Sequence, residues 1–269
     1  MTRDGFRLGI IGRPATHSLS PAIHEAALAA AGLTGTYTPW DLRPDEARRR
    51  LREIRDGQFD GCNVTMPYKR LAYEFVDERS ELARRTGVVN TVTRSGAHLV
   101  GHNTDVAGVT GAWTHRSLPV AGPVLLLGAG GAAAAAAVAL SGRDLVVSAR
   151  SEENARRLLD VTEVDGRTVS WGSAVEGVVV NATPVGMNGE NHVAAVVDAA
   201  TGWFEMVYAH GETPAESQCR RALKPVASGT DMLIHQAVAA FELWTGQVPS
   251  IGAMIKALRA EELRRRDQH

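Results

Sequence analysis

Residues 124–140 read VLLLGAGGAAAAAAVAL. Few folds accommodate such a segment. Four large apolar residues are followed at once by a glycine turn, and the turn by an alanine-rich run with strong helix propensity. A membrane span is the other use of so apolar a stretch, but Gly128, Gly130 and Gly131 interrupt it and its second half is mostly alanine. Strand, tight turn and helix explain it better, and that unit belongs to a parallel sheet with crossover helices. The spacing is GxGxxA. Gly128 permits the turn, Gly130 lets backbone approach a pyrophosphate, and Ala133 is small enough for helix and strand to pack closely. The helix start brings free N–H groups and partial positive charge to the phosphates. Gly128, Ala129, Gly130, Gly131 and Ala132 are therefore the candidate phosphate cradle.

The end of the next strand selects the dinucleotide. An acid there would bind the ribose hydroxyls of NAD, and an arginine would accept the 2′-phosphate of NADP. The strand Leu145–Ser148 runs into Ala149-Arg150-Ser151, which points to NADP through Arg150, with Ser151 beside it. The alternative is that Arg150, Glu152 and Glu153 form an ordinary helix start, which leaves NAD open.

The rest of the chain alternates in the same way. Phe6–Ile11, Thr36–Trp40 and Phe59–Val64 read as strands. Ser20–Ala31, with Ser20 as N-cap, and Pro44–Arg55 read as helices. Val88–Thr93 and His98–Val100 suggest a hairpin. The arginines of Pro44–Arg55 suit a solvated helix face. After the glycine turn come the helix Glu152–Leu159, strands Val178–Val180 and Phe204–Val207, and closing helices Thr230–Trp244 and Ile251–Arg264. The expected fold is α/β with two domains. Residues 1–103, joined by about 247–269, form an α/β domain with a mostly parallel sheet, and 104–246 form a Rossmann domain.

The chain has 269 residues, 44% hydrophobic and 22% charged, with 29 Lys and Arg against 30 Asp and Glu. That balance excludes a dedicated nucleic-acid binder, which would carry a basic surplus. Aromatics at 5% argue against base-stacking platforms. Two cysteines, Cys62 and Cys219, make no disulfide framework and no CxxC site, and the nine histidines show no HExxH spacing, so no metal is expected. The opening MTRDGFRLGIIGRP lacks a signal-peptide pattern. We expect a cytoplasmic protein with no membrane or nucleic-acid partner.

Four polar clusters stand apart from this framework. His17-Ser18-Leu19-Ser20-Pro21 could grip a carboxylate with its hydroxyls, or simply start a helix. Asn63-Val64-Thr65-Met66-Pro67-Tyr68-Lys69 falls at a strand end, where α/β sheets place ligands. Val89-Asn90-Thr91 and Gly101-His102-Asn103-Thr104-Asp105 follow, the last also readable as a helix cap.

Together these segments resemble the shikimate dehydrogenase family. GRPATHSLSPAIHEAAL (12–28), GCNVTMPYK (61–69), GVVNT (87–91), GHNTDVAG (101–108), LGAGGAA (127–133), NATPVGM (181–187) and MLIHQAVAAFELWTG (232–246) occur in the family's order along nearly the whole chain. The resemblance implies an enzyme that reversibly reduces 3-dehydroshikimate to shikimate with NADPH, as monomer or homodimer. It implies Ser18 and Ser20 on the substrate carboxylate, and Thr65, Lys69, Asn90, Asp105 and Gln236 at the ring hydroxyls, with Tyr208 lining the pocket. Lys69 and Asp105 would be the catalytic pair. Gly128 to Ala132 would hold the pyrophosphate and Arg150 the 2′-phosphate, and Thr183, Met187, Gly229 and Met232 would border the nicotinamide. Several positions depart from the family pattern. Ala149-Arg150-Ser151 replaces Asn-Arg-Thr, and Asn154 replaces a second basic residue. Glu205-Met206-Val207-Tyr208-Ala209-His210 lacks the usual Asp and Pro, and His24-Glu25 replaces His-Asn. These changes keep quinate or aminoshikimate open as substrates. Retention of Lys69 and Asp105 argues against a non-catalytic metabolite binder.

Overall fold

The computed structural model describes residues 5–208 and 211–267. The start of the N-terminal segment and the Ala209-His210 departure lie outside the described residues. The described chain forms two compact units, one from residues up to Thr104 together with those from Gln236 onward, the other Asp105–His235.

The first unit begins β1 (Phe6–Gly12), α1 (Ser20–Ala30), β2 (Gly35–Asp41), α2 (Pro44–Arg55), β3 (Gly61–Val64), α3 (Lys69–Phe75), β4 (Glu78–Arg79), α4 (Glu81–Thr86), β5 (Thr91–Ser95) and β6 (His98–His102). Its six-stranded sheet has the order β2-β1-β3-β5-β6-β4. β1 runs parallel to β2 and β3, and β4 parallel to β6; the β5–β6 hairpin joins antiparallel to β3. Leu51, Ile54, Cys62, Val64, Val92 and Leu99 form one buried cluster of this unit. The expected N-cap of α1 is corrected. Leu19 occupies the N-cap and Ser20 is the first helical residue, its N–H donating to Ser18 Oγ at 3.1 Å. The hydroxyl that tightens this turn therefore belongs to Ser18.

The second unit continues α5 (Asp105–His115), β7 (Val124–Leu127), α6 (Gly131–Ala139), β8 (Leu145–Ser148), α7 (Glu152–Thr162), β9 (Arg167–Val169), β10 (Gly177–Asn181), α8 (Ala194–Ala199), β11 (Ala200–Glu205), α9 (Pro214–Arg221) and β12 (Val226–Ala227). All six strands are parallel in the order β12-β11-β10-β7-β8-β9, a doubly wound Rossmann sheet. Both faces are covered, which is why its central strands are continuously apolar. Leu126, Val147, Val180 and Phe204 pack on one side with Ala133, Ala136 and Ala137, and Leu125, Leu127, Val179 and Trp203 pack on the other with Val196, Val197 and Cys219. The alanine run thus lets α6 lie close to the strands. α10 (Gly229–Thr245) starts in this unit and ends in the first, where α11 (Ile251–Arg266) follows. No helix among the described residues is long and apolar enough to cross a membrane.

Candidate active site

In the first unit the predicted substrate residues are held by a dense polar network. Ser18 and Ser20 are buried together at the start of α1. The turn before them is fixed from the far end of the chain, where Arg265 donates to the carbonyls of His17 at 2.7 Å and Ser18 at 2.9 Å. Thr65 and Lys69 sit either side of one turn, closed by Tyr68 N donating to the Thr65 carbonyl at 2.9 Å, and Lys69 opens α3. Its backbone carbonyl accepts from Val89 N at 3.1 Å, which links that turn to the Asn90 segment.

Asn90 is the hub. Its Oδ1 accepts from Thr104 N at 2.7 Å and Thr91 Oγ1 at 3.1 Å, and its Nδ2 donates to Thr104 Oγ1 at 3.0 Å. These contacts fix which way the amide points. Thr104 Oγ1 reaches Gln236 Oε1 at 3.4 Å, so two predicted substrate residues far apart in sequence are joined through one hydroxyl. Asn63 completes the network. It donates to the Asn90 carbonyl at 3.2 Å and Thr91 Oγ1 at 3.0 Å, and accepts from Tyr37 OH at 2.6 Å. All of Asn63, Asn90, Thr91, Thr104 and Gln236 are buried, so each satisfied partner avoids a desolvation cost of about 1–3 kcal/mol. Asp105 directly follows Thr104 and is buried at the first position of α5. His24, fully buried on α1, stacks on Tyr37 with ring centroids 4.5 Å apart and meets Trp244 edge-on. Burial drives its imidazole down to about 3, against a weaker opposing contact from Asn63, so it is a neutral packing group.

In the second unit the glycine turn has the expected shape. Gly128 adopts φ +111°, and a Cβ there would stand 3.0 Å from the Ala182 carbonyl oxygen. Gly130 is the N-cap of α6, and no atom lies within 4 Å of where its Cβ would be. Open space thus lies beside Gly130 at the start of α6, where a helix leaves its first amides without intrahelical acceptors. Arg150 is exposed at the end of β8. An ordinary helix start does form here, with Ser151 as the N-cap of α7 and Glu152 and Glu153 in its first turn; Glu152 pairs with Arg156 at 2.5 Å, and Arg150 lies before the cap. Ser151 serves the fold directly, since its Oγ accepts from Asn154 N at 3.2 Å as the N-cap of α7. These residues fit a dinucleotide phosphate chain, and the exposed guanidinium fits a 2′-phosphate.

Of the remaining predicted residues, Thr183, Met187 and Tyr208 lie on the loops after β10 and β11, and Gly229 and Met232 in α10. Asn181 Oδ1 accepts from Thr183 N at 3.1 Å and Thr183 Oγ1 at 2.6 Å, and Asn181 Nδ2 donates to the Val185 carbonyl at 2.9 Å. Met187 and Tyr208 are exposed, whereas Gly229 and Met232 are buried at the start of α10. A Cβ on Gly229 would stand 2.2 Å from the Val207 carbonyl oxygen, so that helix start and the Tyr208 segment approach backbone to backbone. Arg116 grips Asp231 through two nitrogens at 2.9 and 2.8 Å and so holds the same helix start.

Sequence reasoning missed Arg265 and Glu205. Glu205 is fully buried at the end of β11, and burial pushes its carboxyl up to about 7. It also named Asn63, Thr91 and Thr104 only as members of clusters. Among the described residues no group of three or more His, Cys, Asp and Glu could hold a metal ion.

A Rossmann unit with a glycine cradle and an exposed arginine after its second strand, together with a unit lined with buried hydroxyls and amides, defines the class of dinucleotide-dependent oxidoreductases acting on small polar substrates. The comparisons with known proteins specify it further. A model of the shikimate dehydrogenase substrate binding domain matches residues 10–92, and a model of the shikimate 5'-dehydrogenase C-terminal domain matches 229–259. The shikimate dehydrogenase (NADP(+)) of Archaeoglobus fulgidus is 39% identical, with 94% of this chain and 98% of that one covered. The Thermus thermophilus shikimate 5-dehydrogenase solved with NADP(H) and shikimate superposes with a TM-score of 0.87 at 35% identity, covering 95% of this chain and 99% of that one. A Corynebacterium glutamicum quinate dehydrogenase solved with NAD gives a TM-score of 0.85 at 33% identity, covering 96% and 100%. The chain belongs to the shikimate dehydrogenase family.

Proposed function

We propose that this chain is an NADP-dependent shikimate dehydrogenase, interconverting shikimate and 3-dehydroshikimate. The observation that carries the reading is the buried Asn90–Thr104–Gln236 network, which turns amide and hydroxyl groups into a rigid set of partners for a polyhydroxylated ring. A site built to bond hydroxyls rejects analogues lacking them by up to ~10⁴–10⁵. The relative solved with NADP(H) and shikimate supports the same pairing here.

Ser18 and Ser20 bind the carboxylate. Thr65, Asn90 and Gln236 bind ring hydroxyls, and Tyr208 lines the pocket. NADP supplies hydride chemistry at its nicotinamide carbon. Lys69 donates the proton that completes reduction of the ketone, and takes it back in oxidation, while the Asp105 carboxylate orients the ammonium. Gly128 to Ala132 cradle the pyrophosphate, with Ser151 holding the α7 start beside Arg150, which meets the 2′-phosphate. Thr183, Met187, Gly229 and Met232 border the nicotinamide. On this reading the first unit takes substrate and the second takes the cofactor. We place the enzyme in the cytoplasm, where its free, buried Cys62 and Cys219 stay reduced; light scattering distinguishes monomer from homodimer.

Initial rates with shikimate, quinate and aminoshikimate, each with NADP⁺ and NAD⁺, test the proposal. The shikimate–NADP⁺ pair is expected to give the highest kcat/KM. Turnover of quinate above shikimate would reassign the substrate, and no turnover with any pair would end the enzymatic reading.

A further inference from the structure

Glu205 sits at the carboxyl end of β11 with no exposed surface. Four donors converge on its two oxygens. Oε1 accepts from Asn181 Nδ2 at 2.8 Å and from Val207 N at 3.2 Å, and Oε2 accepts from Trp203 Nε1 and Thr213 Oγ1, each at 3.2 Å. The Thr213 hydroxyl already accepts from Glu216 N at 3.3 Å, so its proton is available to Glu205. Asn181 cannot turn its amide round, because its Oδ1 is held by Thr183 N and Oγ1. Every group around the carboxyl therefore offers a hydrogen and none needs one, so these donors favour the carboxylate and oppose the burial that pushes the group up.

The partners also share a location. Asn181 shapes the Thr183–Met187 turn, Val207 precedes Tyr208 and abuts Gly229, and Thr213 caps α9 while touching Gly186. One buried carboxylate thus ties together the loops that follow β10 and β11. The geometry points to Glu205 as a positioning residue for hydride transfer, fixing the Thr183–Met187 turn against the Val207–Tyr208 segment so that the nicotinamide ring is held at the reacting distance. This inference rests on the proposed function, which sets the nicotinamide beside Thr183, Met187, Gly229 and Met232. Glu205 itself touches neither substrate nor cofactor. Its influence is on the rate constant of the chemical step, since a displacement of about 1 Å in a reacting group costs on the order of 10² in rate.

Glu205→Gln keeps the volume and replaces one acceptor by an NH₂ that must face two donors on either side. Stopped-flow single turnovers of shikimate with NADP⁺, followed by NADPH absorbance, separate position from mere folding. The expected result is a rate constant lowered about 10- to 100-fold, with the Kd of NADP⁺ within about threefold of the parent chain, because the phosphate cradle and Arg150 are untouched. A structural role alone would lower the amplitude and leave the rate constant as it was, and that outcome overturns the inference. Should Glu205→Gln fail to fold, Thr213→Val removes one of the four donors and is expected to lower the same rate constant severalfold, with Thr213→Ser restoring it; equal rate constants for Val and Ser overturn the inference. A parent chain that forms no NADPH at all fails the proposed function first and the inference with it.

Discussion

Arg265, on the last turn of α11, donates Nη2 to the backbone carbonyl of Ser18 at 2.9 Å, joining the two ends of the first unit across 247 residues. The same guanidinium reaches the His17 carbonyl and, through Nε, Glu261 Oε1 at 2.7 Å. Three separate nitrogens of one planar fork each serve one of these acceptors, a geometry that the single nitrogen of a lysine does not reproduce. The clamp sets the turn from which Ser18 and Ser20 would meet the substrate carboxylate. Arg265→Ala is expected to raise the KM for shikimate about 10- to 150-fold, the range of one charge-assisted hydrogen bond lost, with kcat changed less than threefold. Steady-state kinetics with NADP⁺ saturating checks it, and an unaltered KM would separate α11 from substrate binding.

Lys69 is expected to carry chemistry and not affinity. Lys69→Ala should lower kcat by ~10²–10⁴, the usual contribution of a positioned acid or base, with a smaller change in KM. Asp105→Asn should lower kcat as well, without altering NADP⁺ binding measured by fluorescence titration. Near-normal kcat in Lys69→Ala would remove that residue from the mechanism.

These two cases mark what a linear reading of the chain can reach. The β7–glycine–α6 unit was legible because its whole logic lies within residues 124–140, and the polar clusters were legible because each is contiguous. Arg265 and Glu205 were not, since the contacts that give them a role, to His17 and Ser18 and to Asn181, lie hundreds of residues or a whole strand connection away and neither residue type is unusual where it stands. Glu205 left one trace, an acid closing an otherwise apolar strand. Short elements such as α3, α4, α8, β4 and β12 escaped because two to seven residues carry too little periodicity to separate helix, strand and loop. β11 begins at Ala200, earlier than the apolar run from Phe204 suggests, because Ala200 and Gly202 pair with β10 by register and not by hydrophobicity, with Thr201 left over at a register shift between them. The α1 start moved by one residue for a similar reason: Ser18 and Ser20 are both plausible caps, and only the path of the chain before them selects between them.

Arg150 is expected to separate the two cofactors. Its guanidinium is exposed, and Glu152, its acidic neighbour, is paired with Arg156. Arg150→Ala is expected to raise the KM for NADP⁺ about tenfold or more and to leave that for NAD⁺ within about threefold, because only the 2′-phosphate is lost as a partner. The parent's preference for NADP⁺ should shrink as salt rises, since an exposed ion pair is screened over about 10 Å at 0.1 M. Equal effects on both cofactors would assign Arg150 to another part of the nucleotide.

His24 makes stability depend on acid. Its folded-state pKa lies near 3, below its ordinary value of 6.5, because the ring is buried between Tyr37 and Trp244. A lowered histidine contributes stability that is complete above 6.5 and is lost as pH falls toward the folded value, since the unfolded chain takes up the proton first. Between pH 6.5 and pH 4.5 that loss is roughly 2–3 kcal/mol. His24→Leu removes the titration and both buried ring nitrogens while nearly keeping the volume. Urea unfolding at pH 7.5 and pH 4.5 should therefore show the variant losing less stability on acidification than the parent by about that amount, the shared carboxylates cancelling in the comparison. Parallel losses in the two proteins would mean that the imidazole is solvated before the chain unfolds, and that the Tyr37–His24–Trp244 stack opens on its own.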